Sequence, residues 1–244
     1  MKVILVTGAA PYLGGAETWK PLRAAAPEID FVEVDPLIVA GDVDLERHVR
    51  EAVEDALRDA DAIAAHGGAA RLALEAVART RPELPVVLLS PMIALRMTLP
   101  VRIVGAILRR PFVARTFTAY ARWKLNRLRA DRKYVRRQLG FFVRRDLISE
   151  ALVGEAQERL RDPRSAQAVE RTPEFVASAF TPLDPGTDRA VRNRRTLSGG
   201  VEFVDRRNAR KMGATVLPNA NGSPMIEEPA AVAAVLREML ASRS

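Results

Sequence analysis

Three short, almost purely apolar runs constrain this chain more than anything else in it. Val3-Ile-Leu-Val-Thr7 stops at Gly8, Asp61-Ala-Ile-Ala-Ala-His66 stops at Gly67-Gly68, and Val86-Val-Leu-Leu-Ser90 lies between Pro85 and Pro91. Continuous rather than alternating apolarity marks a strand covered on both faces, as in a parallel sheet. Phe31-Val-Glu-Val34, closed by Asp35-Pro36, adds a further strand. Between the runs the apolar spacing turns helical. A helix is expected from near Thr18 to before Pro27, with Trp19 and Leu22 inward. Another is expected over Leu45–Leu57, and a third after Gly68. Strands and helices alternating over short connections predict an α/β chain with a doubly wound, mostly parallel sheet. Its 244 residues suffice for a substantial core.

From Met97 to Ala179 the strand signal stops. Val101, Val104 and Leu108 repeat at helical spacing, as do Leu125 and Leu128 and then Leu147, Leu152 and Leu160. The expected organisation is a core of residues 1–96 and 180–244 with a helical insertion over 97–179. A linker over Thr181–Gly186 leads back to the core. Thr196-Leu-Ser-Gly-Gly200 and Thr215-Val-Leu-Pro218 read as short strands, and Pro229 opens a last helix, a favoured place for proline.

Charge divides the same way. The formal net charge is +8, yet residues 96–145 hold 15 Lys/Arg against the single acid Asp131. That segment carries +14, which leaves −6 for the remainder. Such a segment suits an anionic ligand or partner as well as it suits a solvated helical face. Its aromatics (Phe112, Phe117, Tyr120, Trp123, Tyr134) fit helical packing, and no nucleic-acid module is present, so nucleic acid is not expected as a partner. No apolar run approaches the roughly 18 residues of a membrane span. The apolar run after Lys2 is too short for a signal peptide, so a cytoplasmic location is expected. Without cysteine, and with only two histidines, no metal or thiol chemistry is expected.

The run Asp61–His66, the small residues after it and the helix beyond form a sharp strand-to-helix turn. Such a turn holds one side chain out at the top of a sheet, and in the pattern G-x-S-x-G that side chain is a nucleophilic serine. The five positions here read Ala64-Ala65-His66-Gly67-Gly68. With the neighbouring motifs, the chain resembles the α/β-hydrolase superfamily. Thr7-Gly8 and Trp19-Lys-Pro-Leu22 look like its oxyanion strand and the helix that follows, and residues 97–179 stand where its cap is inserted. The tail, Gly213 to Pro229, resembles the family's last strand, catalytic-histidine loop and closing helix. The chain opens directly in the oxyanion strand, so the family's N-terminal hairpin is expected to be missing.

The departures from that pattern carry as much information. His66 is read at the nucleophile position and Gly222 at the position of the catalytic histidine. Glu202, with Asp205 second, is the nearest candidate for the acid. The resemblance therefore implies a scaffold that has lost the serine–histidine–acid triad, since no base is placed to activate a serine. His66 is expected to act as general acid or base, oriented by Glu202 or Asp205 and assisted by Ser223. Thr7, Gly8, Ala9, Ala10, Gly67, Ser90, Met92 and Asn221 are expected to border the substrate, with backbone N–H groups of Gly67 and of the loop Gly8–Ala10 forming an oxyanion hole.

That set suits a cyclase, lyase or isomerase acting on a hydrophobic, carbonyl-containing small molecule such as a polyketide-type intermediate, with no cofactor. The basic cap would suit an acidic carrier protein. A pseudo-hydrolase that only binds is the alternative, in which His66 merely fills space and bonds a backbone carbonyl. A competing resemblance is to short-chain dehydrogenases, through Val6-Thr-Gly-Ala-Ala-Pro-Tyr-Leu-Gly14 and the Tyr120…Lys124 spacing. Pro11 stands where that nicotinamide-cofactor loop needs a flexible donor.

Overall fold

The computed structural model describes residues 1–7, 13–35, 45–91, 111–163, 183–199 and 213–242. Six strands form one sheet: β1 (Lys2–Val6), β2 (Asp30–Val34), β3 (Ala62–His66), β4 (Val86–Leu89), β5 (Arg194–Ser198) and β6 (Thr215–Val216). Their order is β2-β1-β3-β4-β5-β6, and every pairing is parallel. The apolar runs read from the sequence are these strands, buried along their length in β3 and β4.

Odd and even positions of each strand serve different layers. Val3 and Leu5, Ala62 and Ala64, Val87 and Leu89 pack with Trp19 and Leu22 of α1 (Ala16–Ala25) and with α9 (Pro229–Ala241). Ile4 and Val6, Ile63 and Ala65, Val86 and Leu88 pack with α2 (Leu45–Leu57) and α3 (Ala69–Thr80). Helices on both faces make the sheet doubly wound, as expected.

The described part of the insertion is helical: α4 (Pro111–Ala130), α5 (Arg132–Leu139), a 3₁₀ turn (Arg145–Leu147) and α6 (Glu150–Arg161). Leu125, Leu128, Val135, Leu139, Leu152 and Leu160 are buried and share one core with α1 and α9. Leu147 differs, being 37 % exposed, because the chain there takes a single 3₁₀ turn rather than continuing a helix. The expected linker also differs. Pro185–Ala190 is a short helix, α7, with Asp184 accepting from the Thr187 N–H and proline at its start. A last short helix, α8, spans Pro224–Glu227. No helix among the described residues is long and apolar enough to cross a membrane.

Chain order decides where a ligand could sit. After β2 the chain returns past β1 to lay down β3 on its other side, so the connections leaving β1 and β3 diverge. In open α/β sheets the crevice at that point, beyond the carboxyl ends of the strands, is the usual binding place.

Candidate active site at the carboxyl ends of the strands

The turn after β3 forms, one residue later than the sequence suggested. His66 is still part of β3, paired with Leu89, and Gly67 is the residue in the left-handed region, at φ 57. Gly68 is the N-cap of α3. Only glycine takes a left-handed backbone without steric cost, which is why the bend falls there. The five-residue frame centred on the bend is Ala65-His66-Gly67-Gly68-Ala69, and its apex carries no side chain. The Gly67 N–H is not free for an oxyanion either, because it donates to the Leu89 carbonyl at 3.0 Å. The next N–H groups, of Gly68 and Ala69, open α3, where helical N–H groups lack internal partners.

His66 is 3 % exposed. Its Nε2 lies 2.8 Å from the Gly222 carbonyl oxygen. A carbonyl can only accept, so Nε2 carries the proton and Nδ1 presents a lone pair. Nδ1 is buried and, among the described residues, has no partner. Burial pushes the imidazole pKa below its ordinary value, against a smaller upward pull from the Gly222 carbonyl, so the neutral ring is favoured. Position 66 and the expected catalytic-histidine position 222 thus meet, through a backbone oxygen that sequence reasoning had no means of placing.

Ser223 is fully buried, and its hydroxyl has no partner, so it makes no hydrogen bond to His66. Its N–H donates to Glu227 at 3.0 Å, and the Asn221 N–H donates to the same oxygen at 2.7 Å. The other Glu227 oxygen accepts from the Arg144 N–H of the cap at 2.7 Å. Glu227 therefore organises the whole loop, a role absent from the sequence reading. The signal was an acid soon after Ser223-Pro224, since carboxylates early in a helix commonly return to N–H groups at its start. Burial raises the Glu227 pKa, while its backbone donors oppose the shift.

The cap closes this corner. The Gly222 N–H donates to the Phe142 carbonyl at 3.1 Å. A Cβ at Gly222 would stand 3.3 Å from that oxygen, a tight contact that the cap turn would have to yield to by a few tenths of an ångström. A methyl group at Gly199, just past β5, would overlap the Asn221 carbonyl. Ser90, past β4, is held at φ 42, and its Oγ accepts from the Gly199 N–H at 3.4 Å. Non-glycine residues in that region tend to mark functional sites.

Thr7 faces a different corner, above β1 and β2. Its hydroxyl donates to Glu33 at 3.2 Å and accepts from Trp19 Nε1 at 3.2 Å. Glu33 also accepts from the Gly15 N–H at 2.6 Å. From the cap, Glu155 accepts from the Glu17 N–H at 2.9 Å, covering the start of α1, and Arg159 pairs with Asp35. Burial raises the Glu155 pKa; the N–H groups of Glu17 and Thr18 and the charge of Arg159 oppose the shift.

His66, Ser90, Asn221 and Ser223 thus share the corner above β3 and β5, while Thr7 belongs to the corner above β1 and β2. Gly8, Ala9, Ala10, Met92, Glu202 and Asp205 lie outside the described residues. Among the described residues, no group of three His, Asp or Glu could hold a metal. Tyr120 and Lys124 lie on α4 of the cap, with Tyr120 51 % exposed, so the short-chain-dehydrogenase pairing has no place here.

Solved structures agree with this architecture. A serine hydrolase involved in carbazole degradation (the CarC enzyme) superposes with a TM-score of 0.71 at 15 % identity, over 99 % of this chain and 91 % of its own. The chain has the α/β-hydrolase fold. An epoxide hydrolase, CorEH, matches at TM-score 0.58 and 13 % identity, over 100 % of this chain and 92 % of its own. The enol-lactonase from Burkholderia xenovorans LB400 matches at 0.62 and 12 %, over 98 % and 91 %. No protein-family model and no curated protein matches the sequence.

Proposed function

We propose that this chain is a non-hydrolytic enzyme on the α/β-hydrolase fold, acting on a hydrophobic, carbonyl-containing small molecule as a cyclase, lyase or isomerase. One observation carries the reading: the Nδ1 of His66 is, among the described residues, buried and without a partner, while Nε2–H is held by the Gly222 carbonyl. A general base needs one nitrogen fixed by an acceptor and the other open to a proton. The Gly222 oxygen here supplies the orientation expected of Glu202 or Asp205. The depressed pKa keeps the ring in its basic form. With glycine at both 67 and 222, neither frame of the turn offers a hydroxyl nucleophile or the family's histidine, which supports chemistry other than acyl transfer at this turn. Nδ1 would take a proton from carbon beside a carbonyl, and the N–H groups of Gly68 and Ala69 would steady the enolate oxygen. Cyclisation, elimination and isomerisation all begin from such an enolate.

The test is solvent deuterium exchange at the α-carbon of hydrophobic β-keto esters and thioesters, followed by NMR. Exchange by the wild type that falls about 10²–10⁴-fold in His66→Gln supports the reading. No exchange, or equal exchange in both proteins, overturns it. The near-complete burial of His66 and its bond to a backbone carbonyl, both expected of a space-filling histidine, favour a second reading, a pseudo-hydrolase that binds a ligand without turning it over. In that case His66→Gln would keep ligand affinity.

A further inference from the structure

The cap presents a surface that the proposed chemistry does not use. Tyr120 and Trp123 are 51 % and 52 % exposed on one stripe of α4, with ring centroids 5.7 Å apart and planes 30° from parallel. One turn on, the Arg127 guanidinium lies 5.6 Å from the Trp123 centroid and 4.6 Å from that of Tyr134, on α5. On α5 the cations divide into two sets. Arg132 and Arg136 pair with Glu150. Lys133 and Arg137 are exposed, as is Arg127, and among the described residues none of these three has a carboxylate partner. Residues 91–130 contain nine Lys/Arg and no acid at all.

We propose that this face, Tyr120, Trp123, Arg127, Lys133, Tyr134 and Arg137, docks the protein onto an anionic lipid bilayer. Charge complementarity selects an anionic partner. The aromatics choose among such partners. Tyr and Trp have apolar bodies and polar tips that settle at the headgroup level of a bilayer. Nucleic acid would need open ring faces for stacking, whereas Trp123 is already engaged by Tyr120 and Arg127. A bilayer accepts both apolar rings and cationic side chains on one surface. Phosphate headgroups would take the unpaired cations, each contributing to attraction that weakens with salt.

Vesicle flotation of the whole protein tests this. One vesicle set is phosphatidylcholine alone and the other an equal mixture with phosphatidylglycerol, each at low and high salt. The chain has two tryptophans, and Trp19 is fully buried, so an emission change reports on Trp123. The expected result is flotation with the mixed vesicles only, a blue shift of the Trp123 emission, and loss at high salt. Reversing Arg127, Lys133 and Arg137 to Glu together should weaken binding on the order of 100-fold. Lys133→Glu/Arg137→Glu, which leaves the aromatic contacts in place, should weaken it on the order of 10-fold with Trp19 emission unchanged. Equal binding to both vesicle types overturns the proposal, as does flotation without a Trp123 shift. So does displacement from vesicles by poly-glutamate or a single-stranded oligonucleotide at matched charge, which would mark an acidic protein or a nucleic acid as the partner.

Discussion

Above β3 and β5 the cap meets the body through its own backbone, the Phe142 carbonyl accepting from the Gly222 N–H and the Arg144 N–H donating to the Glu227 carboxylate. Above β1 and β2 it reaches in with long charged side chains, Glu155 onto the start of α1 and Arg159 onto Asp35. The first contact is close, and it encloses atoms that, among the described residues, lack partners: His66 Nδ1 and Ser223 Oγ. The second satisfies most of its charge and has flexible stems to absorb change, although Glu155 Oε1 and Arg159 Nε also lack partners. A rigid corner holding an unpaired base suits chemistry. A flexible charged corner suits holding the cap in place.

Gly199→Ala should separate them most sharply, because its methyl group meets the Asn221 backbone, which cannot swing aside. A loss of about 3 kcal/mol, at the upper end for overpacking, is expected in urea unfolding. Gly15→Ala puts its methyl 2.9 Å from the movable Glu155 carboxylate, but the residue sits at φ 94, so strain as well as crowding would count there. Gly199 isolates the crowding.

Glu227→Ala comes next. It leaves the N–H groups of Arg144, Asn221 and Ser223 without their acceptor. At about 1–3 kcal/mol per stranded buried group, reduced by whatever water reaches them, a net loss of roughly 2–3 kcal/mol is expected by denaturant titration. Arg159→Met should cost less, about 1–2 kcal/mol, since the pair is partly solvated and the stem is retained. A double-mutant cycle with Asp35→Asn should recover a favourable coupling, whereas purely additive losses would show that Arg159 works by packing alone.

Titration gives the smallest and most diagnostic contrast. A histidine whose folded pKa is depressed contributes stability above its unfolded pKa of about 6.5, lost as pH falls toward the folded value. A glutamate whose folded pKa is raised contributes stability below its unfolded value of about 4.5, lost as pH rises through the folded value. His66→Asn should therefore flatten the Tm decline between neutral and mildly acidic pH. Glu155→Gln should flatten the decline that begins near pH 4.5 and runs upward. Unchanged slopes in either variant would remove that group from the ledger. Glu227, raised like Glu155, works against His66 within the same corner, so the single variants must be compared with the wild type and not with each other.

These contrasts also show what could be read in the chain. The apolar runs gave β1, β3 and β4, and the spacing Leu45, Val49, Val53, Leu57 gave α2 with its observed bounds. Both follow from local periodicity, which the sheet only completes. The bend was misplaced by one residue because Gly67 and Gly68 are adjacent, and side-chain patterns do not say which glycine turns left-handed. Asp184-Pro185 was read as a linker though it is a helix start, since six residues hold too little periodicity to outweigh proline and glycine. That a backbone carbonyl would hold His66 was one of the two readings of that residue, but that it would be Gly222's was not legible, because a backbone oxygen looks the same under every letter. Glu155 and Arg159 find partners more than a hundred residues away, and only the folded cap brings those together.

Gly67 has a consequence for engineering. A serine placed at residue 67 would have to hold a backbone angle that L-residues resist, at about 1–2 kcal/mol. The bend as it stands is relaxed, because glycine takes its left-handed angle freely. Building ester chemistry on this bend would need added stability first, and only then a hydroxyl.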